Sequence, residues 1–284
     1  MISSLHRVTK LFDVIRPIAL SALSIFICFL LIQPVALWCD PAFSLLANRG
    51  LGKIAFTLVV MMHLLLLAAT HSNNEWKMFW HSNAAFLGTR AWLKPFFAMF
   101  GLFAALHTST LLVLSLTPWA NAYLPTTLSW SVLPSLALGF VATFFLAWTE
   151  EAIFRGTIIP LLLRGGLGKT ASILLSALIF MLAHDITAPW HLLSSNLPLG
   201  IGLFLLGILL AQLFVMSGTL YVGMGAHAGL VFVKVFLRRI PCLAYASNVP
   251  WWLHSDLRQS PLIHALFALL ICWLFWSKRK HFFR

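Results

Sequence analysis

Glu150 and Glu151 stand side by side near the end of a hydrophobic stretch, SVLPSLALGFVATFFLAWTEEAIFRG (131–156), and Arg155 follows four residues later. Placing an ionisable residue at membrane depth costs about 2.5–3.5 kcal/mol on insertion scales, so such residues mark functional sites by default. The chemistry open to a carboxylate in a poorly hydrated cavity is proton abstraction. Burial favours the uncharged acid, a neighbouring cation favours the carboxylate, and the balance between them sets a general base. Successive helix residues point about 100° apart, so the two glutamates cannot share one direction. Glu151 can pair with Arg155 at i,i+4, which leaves Glu150 to face a cavity.

A histidine at the same depth would complete such a site. The turn Arg164-Gly165-Gly166-Leu167-Gly168 joins two apolar segments as an antiparallel helical hairpin. Glu150 lies about 16 residues before Gly166 and His184 about 16 after Gly168, roughly 24 Å from the turn on each side at 1.5 Å per residue. Carboxylate and imidazole therefore fall at matching depth, with Phe180 one turn before His184 on the same helix face. A third polar position is His227, flanked by Gly223, Gly225 and Gly229, small residues that let helix backbones approach closely.

The elements that must position these groups are membrane spans. Hydrophobic residues make up 61% of the chain and charged residues 9%, whereas soluble domains carry about 25% charged residues. Segments of about 20 apolar residues cross a bilayer, and eight candidates are legible: roughly 17–38, 53–70, 95–117, 132–155, 169–185, 198–216, 219–237 and 260–277. The expected fold is all-α, a polytopic membrane protein of about eight transmembrane helices in a single bundle. It forms one domain over 1–284, with the chemistry-bearing region at about 130–240. The segment from Ile18 to Trp38 is too long for a cleavable signal and reads as a retained first span.

Most of the 19 Lys and Arg residues, within a formal net charge of +12, fall on the side that holds both ends of the sequence in this topology. That places both termini in the cytoplasm, as in a bacterial inner membrane. No clustered basic face is present, which excludes nucleic-acid binding. The four cysteines show no CxxC spacing, which argues against a thiolate metal site. Cys28 and Cys272 read as small core hydrophobes, and Cys39 and Cys242 fall on one side of the membrane. GGLGKT (165–170) lacks the glycine a phosphate loop needs, because Leu163 stands there, and it reads as a hairpin turn. The polar tract at 71–83 reads as a solvated loop or interfacial helix.

EEAIFRG (150–156), FMLAH (180–184) and His227 in a later span resemble the motifs of the CPBP family, the CAAX-protease and bacteriocin-processing (Abi) proteins that include the Ras-converting CAAX endopeptidase. The family's EExxxR is met by Glu150, Glu151 and Arg155, and its FxxxH by Phe180 and His184. The last motif, HxxxN or HxxxD, is met at His227 but not four residues later, where Val231 stands. The resemblance implies an eight-helix intramembrane endopeptidase acting on a membrane-associated protein or peptide. In the implied mechanism Glu150 deprotonates a water held by His184, His227 or a backbone amide stabilises the oxyanion, and Glu151 with Arg155 holds Glu150 in place.

No cofactor is required in this reading. The metallo alternative would use Glu150, His184 and His227 as ligands for a divalent ion such as zinc, although the sequence lacks an HExxH helix. Two other functions compete. A catalytically inactive scaffold or immunity protein would suit Val231, and a proton-linked transporter would use the same polar residues as a relay. A transporter is expected to show internal repeats, and none is seen.

Overall fold

The computed structural model describes residues 90–123, 132–185, 188–254 and 256–277, with Trp130, Val59 and scattered positions between Ala19 and Trp38. The expected span at 53–70, the tract at 71–83 and Cys39 lie outside the described residues. What is described is mostly helical. In chain order the elements are α1 (Leu93–Ser115), β1 (Ala120–Ala122), α2 (Val132–Ile153), a π-helical segment (Phe154–Ile158), α3 (Ile159–Arg164) and α4 (Lys169–Ala183). They continue with α5 (His191–Ser194), α6 (Leu197–Ser217), α7 (Leu220–Arg239), β2 (Leu243–Tyr245) and α8 (Pro261–Ser277).

Four described helical runs are long and apolar enough to cross a membrane: Arg90–Ser115, Val132–Leu163, Leu197–Ser217 and Leu220–Arg239. Lys169–Ala183 and Pro261–Ser277 are apolar but shorter, so a count of about eight spans is not reached among the described residues. Among the described residues, the one departure from an all-helical chain is a two-stranded antiparallel sheet. It pairs Ala120 with Tyr245 and Ala122 with Leu243 and ties the loop after α1 to the loop after α7.

The breakers act as their chemistry requires. Gly166 takes φ of 85° in the turn after α3, a conformation glycine adopts without Cβ strain, and the hairpin expected at 164–168 is present. Pro160 supplies no N–H to the turn before it. The backbone there widens into the π segment, where Thr157 Oγ1 donates to Ala152 O at 3.0 Å and Ser176 Oγ donates to Phe154 O at 2.8 Å. π segments inside α-helices recur at functional sites, and this one contains Arg155.

The helices pack through small residues and aromatic rings. A Cβ at Gly225 or Gly229 of α7 would overlap the carbonyl oxygens of Phe96 and Phe100 on α1, so only glycine lets these two backbones meet. Phe96, Trp148, Leu220 and Met224 are buried between α1, α2 and α7, and Phe154, Phe180, Leu192 and Leu203 between the π segment, α4, α5 and α6. Trp130, Trp190 and Trp251 protrude from loops at one end of the bundle, and Trp276 from the last turn of α8 at the other. Trp is favoured at membrane interfaces. Cys28 is buried, as expected of a core thiol, but Cys272 is exposed on α8. An apolar run reads the same on either face of a helix, so sequence cannot separate an exposed thiol from a buried one.

Candidate active site

Glu150 and Glu151 leave α2 in different directions, as helical geometry demands, and end in different surroundings. Glu151 and Arg155 are both fully buried, with Arg155 Nη1 donating to Glu151 Oε1 at 2.8 Å. Arg155 Nη2 also donates to the Gly207 carbonyl of α6 at 3.1 Å. The guanidinium lies 4.5 Å from the centroid of the Phe180 ring, within cation–π range. Charge, hydrogen bonds and ring contact thus fix a buried cation that would otherwise be expensive to desolvate.

Glu151 reaches beyond Arg155. His227 Nδ1 donates to Glu151 Oε1 at 3.0 Å from α7. A carboxylate oxygen accepts, so Nδ1 is the donor and Nε2 is the ring nitrogen turned away from Glu151. His184, at the C-cap of α4, is fixed in the same sense, with Nδ1 donating to the Phe180 carbonyl at 2.8 Å. Its ring meets the Phe180 ring edge-on, centroids 4.5 Å apart. Both imidazoles therefore turn Nε2 the same way.

They turn toward Glu150. Its Oε2 lies 3.7 Å from His227 Nε2 and 4.0 Å from His184 Nε2. These separations are too long for direct hydrogen bonds and short enough for one water to touch each pair. Glu150 Oε2 is buried and has no hydrogen-bond partner in the protein. The side chains of Glu150 and His184 are 16% and 22% exposed, against 4% for His227, so the point of convergence is reached from the His184 side. One carboxylate oxygen and two Nε2 atoms thus face one another across a gap that a single water fits.

All five residues singled out in the sequence are thus brought together. One relationship differs from expectation. Glu151 and Arg155 are expected to hold Glu150, but their hydrogen bonds run to His227 and Gly207, and neither reaches Glu150 Oε2. The partner of Glu151 was not legible because it comes from a helix 76 residues away. Val231 offers no polar group beside His227.

The donor types match a catalytic zinc set of two histidines and one glutamate, and Nδ1 anchoring of this kind also lies behind metal-bound imidazoles. Their spacing does not match. Among the described residues, no group of three or more His, Cys, Asp or Glu side chains is disposed to hold a metal ion. A separate cavity of about 490 Å³, lined by Thr170, Ile173, Gln212, Cys272 and Trp276 among others, lies at the opposite end of α4 from His184.

A second polar cluster went unread in the sequence, where its residues served only as orientation charges. Asp256 accepts from Lys234 Nζ at 2.6 Å through Oδ2, and from Arg258 Nη2 at 2.7 Å and Nε at 3.1 Å. Burial alone would raise the Asp256 carboxyl, but the hydrogen bonds and charges of Arg258 and Lys234 outweigh it and hold the group well below the usual carboxylate range.

Residues 130–233 match the family model described as Type II CAAX prenyl endopeptidase Rce1-like. The class so indicated is a protease family, and with the apolar helices it indicates an integral membrane protein. That similarity is consistent with the CPBP family, and Glu150, Glu151, Arg155, His184 and His227 all lie inside the matched segment. Comparison with curated proteins and with solved structures returned no match.

Proposed function

We propose that the protein is an intramembrane endopeptidase that hydrolyses a peptide bond of a membrane-associated protein or peptide through a glutamate-activated water. The observation that carries this reading is the unpartnered, buried Glu150 Oε2, with two Nε2 atoms 3.7 and 4.0 Å away. A water between them gives one proton to Glu150 as its oxygen attacks the peptide carbonyl, forming the new C–O bond. The C–N bond then breaks as Glu150 returns that proton to the leaving amine, so acid and base steps use one carboxyl. The imidazoles hold the water, and a backbone amide stabilises the oxyanion. Glu151 and Arg155 are positioning residues, acting through His227.

The test uses purified protein and a library of membrane-anchored peptides, wild type beside Glu150→Ala, with products read by mass spectrometry in oxygen-18 water. Cleavage that incorporates the label and disappears in the variant is expected. Retention of a binding partner without any cleavage would instead favour the inactive scaffold that Val231 suits. Ion flux without cleavage would favour the transporter. The metallo alternative would draw its Lewis-acid polarisation from an ion on Glu150, His184 and His227, whose spacing does not suit one. Activity abolished by chelation and restored by zinc would move the reaction to that chemistry.

A further inference from the structure

The cluster of Lys234, Asp256 and Arg258 has one anion for two cations, and its location gives that excess a use. Both oxygens of Asp256 are occupied, by Arg258 and Lys234. Lys234 spends one of its three N–H donors there, and Arg258 leaves Nη1. The two side chains remain 31% and 35% exposed while Asp256 is 17% exposed, so the open face of the cluster is the cationic one.

The cluster sits beside the candidate active site. The Arg258 carbonyl accepts from His264 Nε2 at 2.9 Å and occupies the space that a Cβ on Gly202 would fill. The next residue of α6, Leu203, packs in the same buried group as Phe180, whose ring touches that of His184. Arg258 is near enough for its charge to act on His184, the more exposed of the two imidazoles. Asp256 and Arg258 also lie outside the segment matched by the family model.

We propose that Lys234 and Arg258 form a carboxylate-binding subsite beside the site entrance, taking a carboxylate of the peptide substrate. This rests on the hydrolytic reading for its purpose but not for its measurement. Two cations held in place by Asp256 are pre-organised, which lowers the ordering cost of binding. Arg258 presents a planar donor and Lys234 a point charge, a pair suited to one carboxylate. The carboxylate can come from the peptide's C-terminus or from an acidic side chain.

The probe is one membrane-anchored peptide made as the C-terminal acid, as the amide, and as the amide with one internal glutamate. It is presented in nanodiscs of zwitterionic lipid. Binding is measured by fluorescence anisotropy on Glu150→Gln protein, which does not turn over, and cleavage is measured on the Glu150-containing protein. One acidic peptide is expected to bind about tenfold to a hundredfold more tightly than the plain amide, the range for a charge-assisted hydrogen bond. Which acidic form wins identifies the source of the carboxylate. Arg258→Gln and Lys234→Met should each erase most of that preference, and Arg258→Lys should keep part of it; in cleavage the change should fall on KM and leave kcat alone. Equal binding of the three peptides, or a preference that survives both charge-removing variants, overturns the proposal. So does a preference lost when anionic lipid is added, which would give the cations to headgroups. Preference with no cleavage would sink the hydrolytic reading and spare the subsite, and cleavage with no preference would do the reverse.

Discussion

His227 and Glu151 are joined by a 3.0 Å hydrogen bond between two helices 76 residues apart in sequence. Glu151 Oε1 receives Arg155 Nη1 as well, at 2.8 Å. One buried oxygen thus couples the ion pair within α2 to the orientation of an imidazole on α7. Removing the charge of Glu151 should therefore act on stability and on the site together. Glu151→Gln leaves Arg155 as a buried cation without a counter-ion, a loss of about 3–5 kcal/mol. The double change Glu151→Gln with Arg155→Met should be more stable than Glu151→Gln alone. Thermal unfolding of the native protein, the double variant and both single variants, Arg155→Met included, checks this in one detergent, and additive losses would show that the pair is not coupled.

Glu150 behaves in the opposite way. Its Oε2 contributes no hydrogen bond to the fold, so Glu150→Gln should leave the melting temperature unchanged or raise it. The same change should lower cleavage by about 10²–10⁴-fold, the usual contribution of a general base. A variant that lost stability and activity in parallel would make Glu150 a structural residue.

Phe180 lies between the two halves of the site, 4.5 Å from the Arg155 guanidinium and with its ring centroid 4.5 Å from that of His184. Phe180→Leu keeps an apolar side chain but gives up the ring face. The expected cost is about 1–3 kcal/mol, combining a cation–π contact with a partial cavity. Phe180→Tyr should retain most of the stability, and a fully stable Phe180→Leu protein would remove the ring from the account.

Gly229 is a remote test of positioning. A Cβ there would overlap the Phe100 carbonyl, so Gly229→Ala must push α1 from α7, the helix that carries His227. Folded yield and any cleavage should fall together although residue 229 touches none of the five site residues. Yield unchanged by Gly229→Ala would show that the two helices can separate freely.

Asp256 gives the pH dependence its sign. Its carboxyl is held below its ordinary range in the folded protein by Arg258 and Lys234. The stabilisation is therefore complete above the unfolded value and is lost as pH falls through the folded one. Unfolding measured from neutral to acidic pH should show stability declining for the native protein. Asp256→Asn should begin lower, by about 1–3 kcal/mol for charge-assisted hydrogen bonds, and decline less. Parallel curves for the two proteins would rule the cluster out as the source.

Much of the site was legible because helices convert spacing into direction and depth. Glu151 to Arg155 is one turn, Phe180 to His184 is one turn, and equal counts from the 164–168 hairpin bring Glu150 to His184. The partnership of Glu151 with His227 was not legible, since it depends on how α7 lies against α2, and that is set by glycines meeting carbonyls on α1. Nothing in FRGTI announces a π segment; Pro160, which withholds an N–H from the preceding turn, was the available signal. Lys234, Asp256 and Arg258 were visible as charges, but only the return of the loop after β2 onto α6 assembles them.

Helix α4 ends after 15 residues, about 22 Å, whereas the hydrocarbon layer is about 30 Å thick. Past His184 the chain abandons helical form while still short of the far headgroups, and its peptide groups there need water or other polar partners. Lipid tails on that flank must bow inward or give way to solvent, at fractions of a kcal/mol per ångström of shortfall. A peptide arriving sideways through the lipid would meet moisture first at the spot where a backbone can unwind.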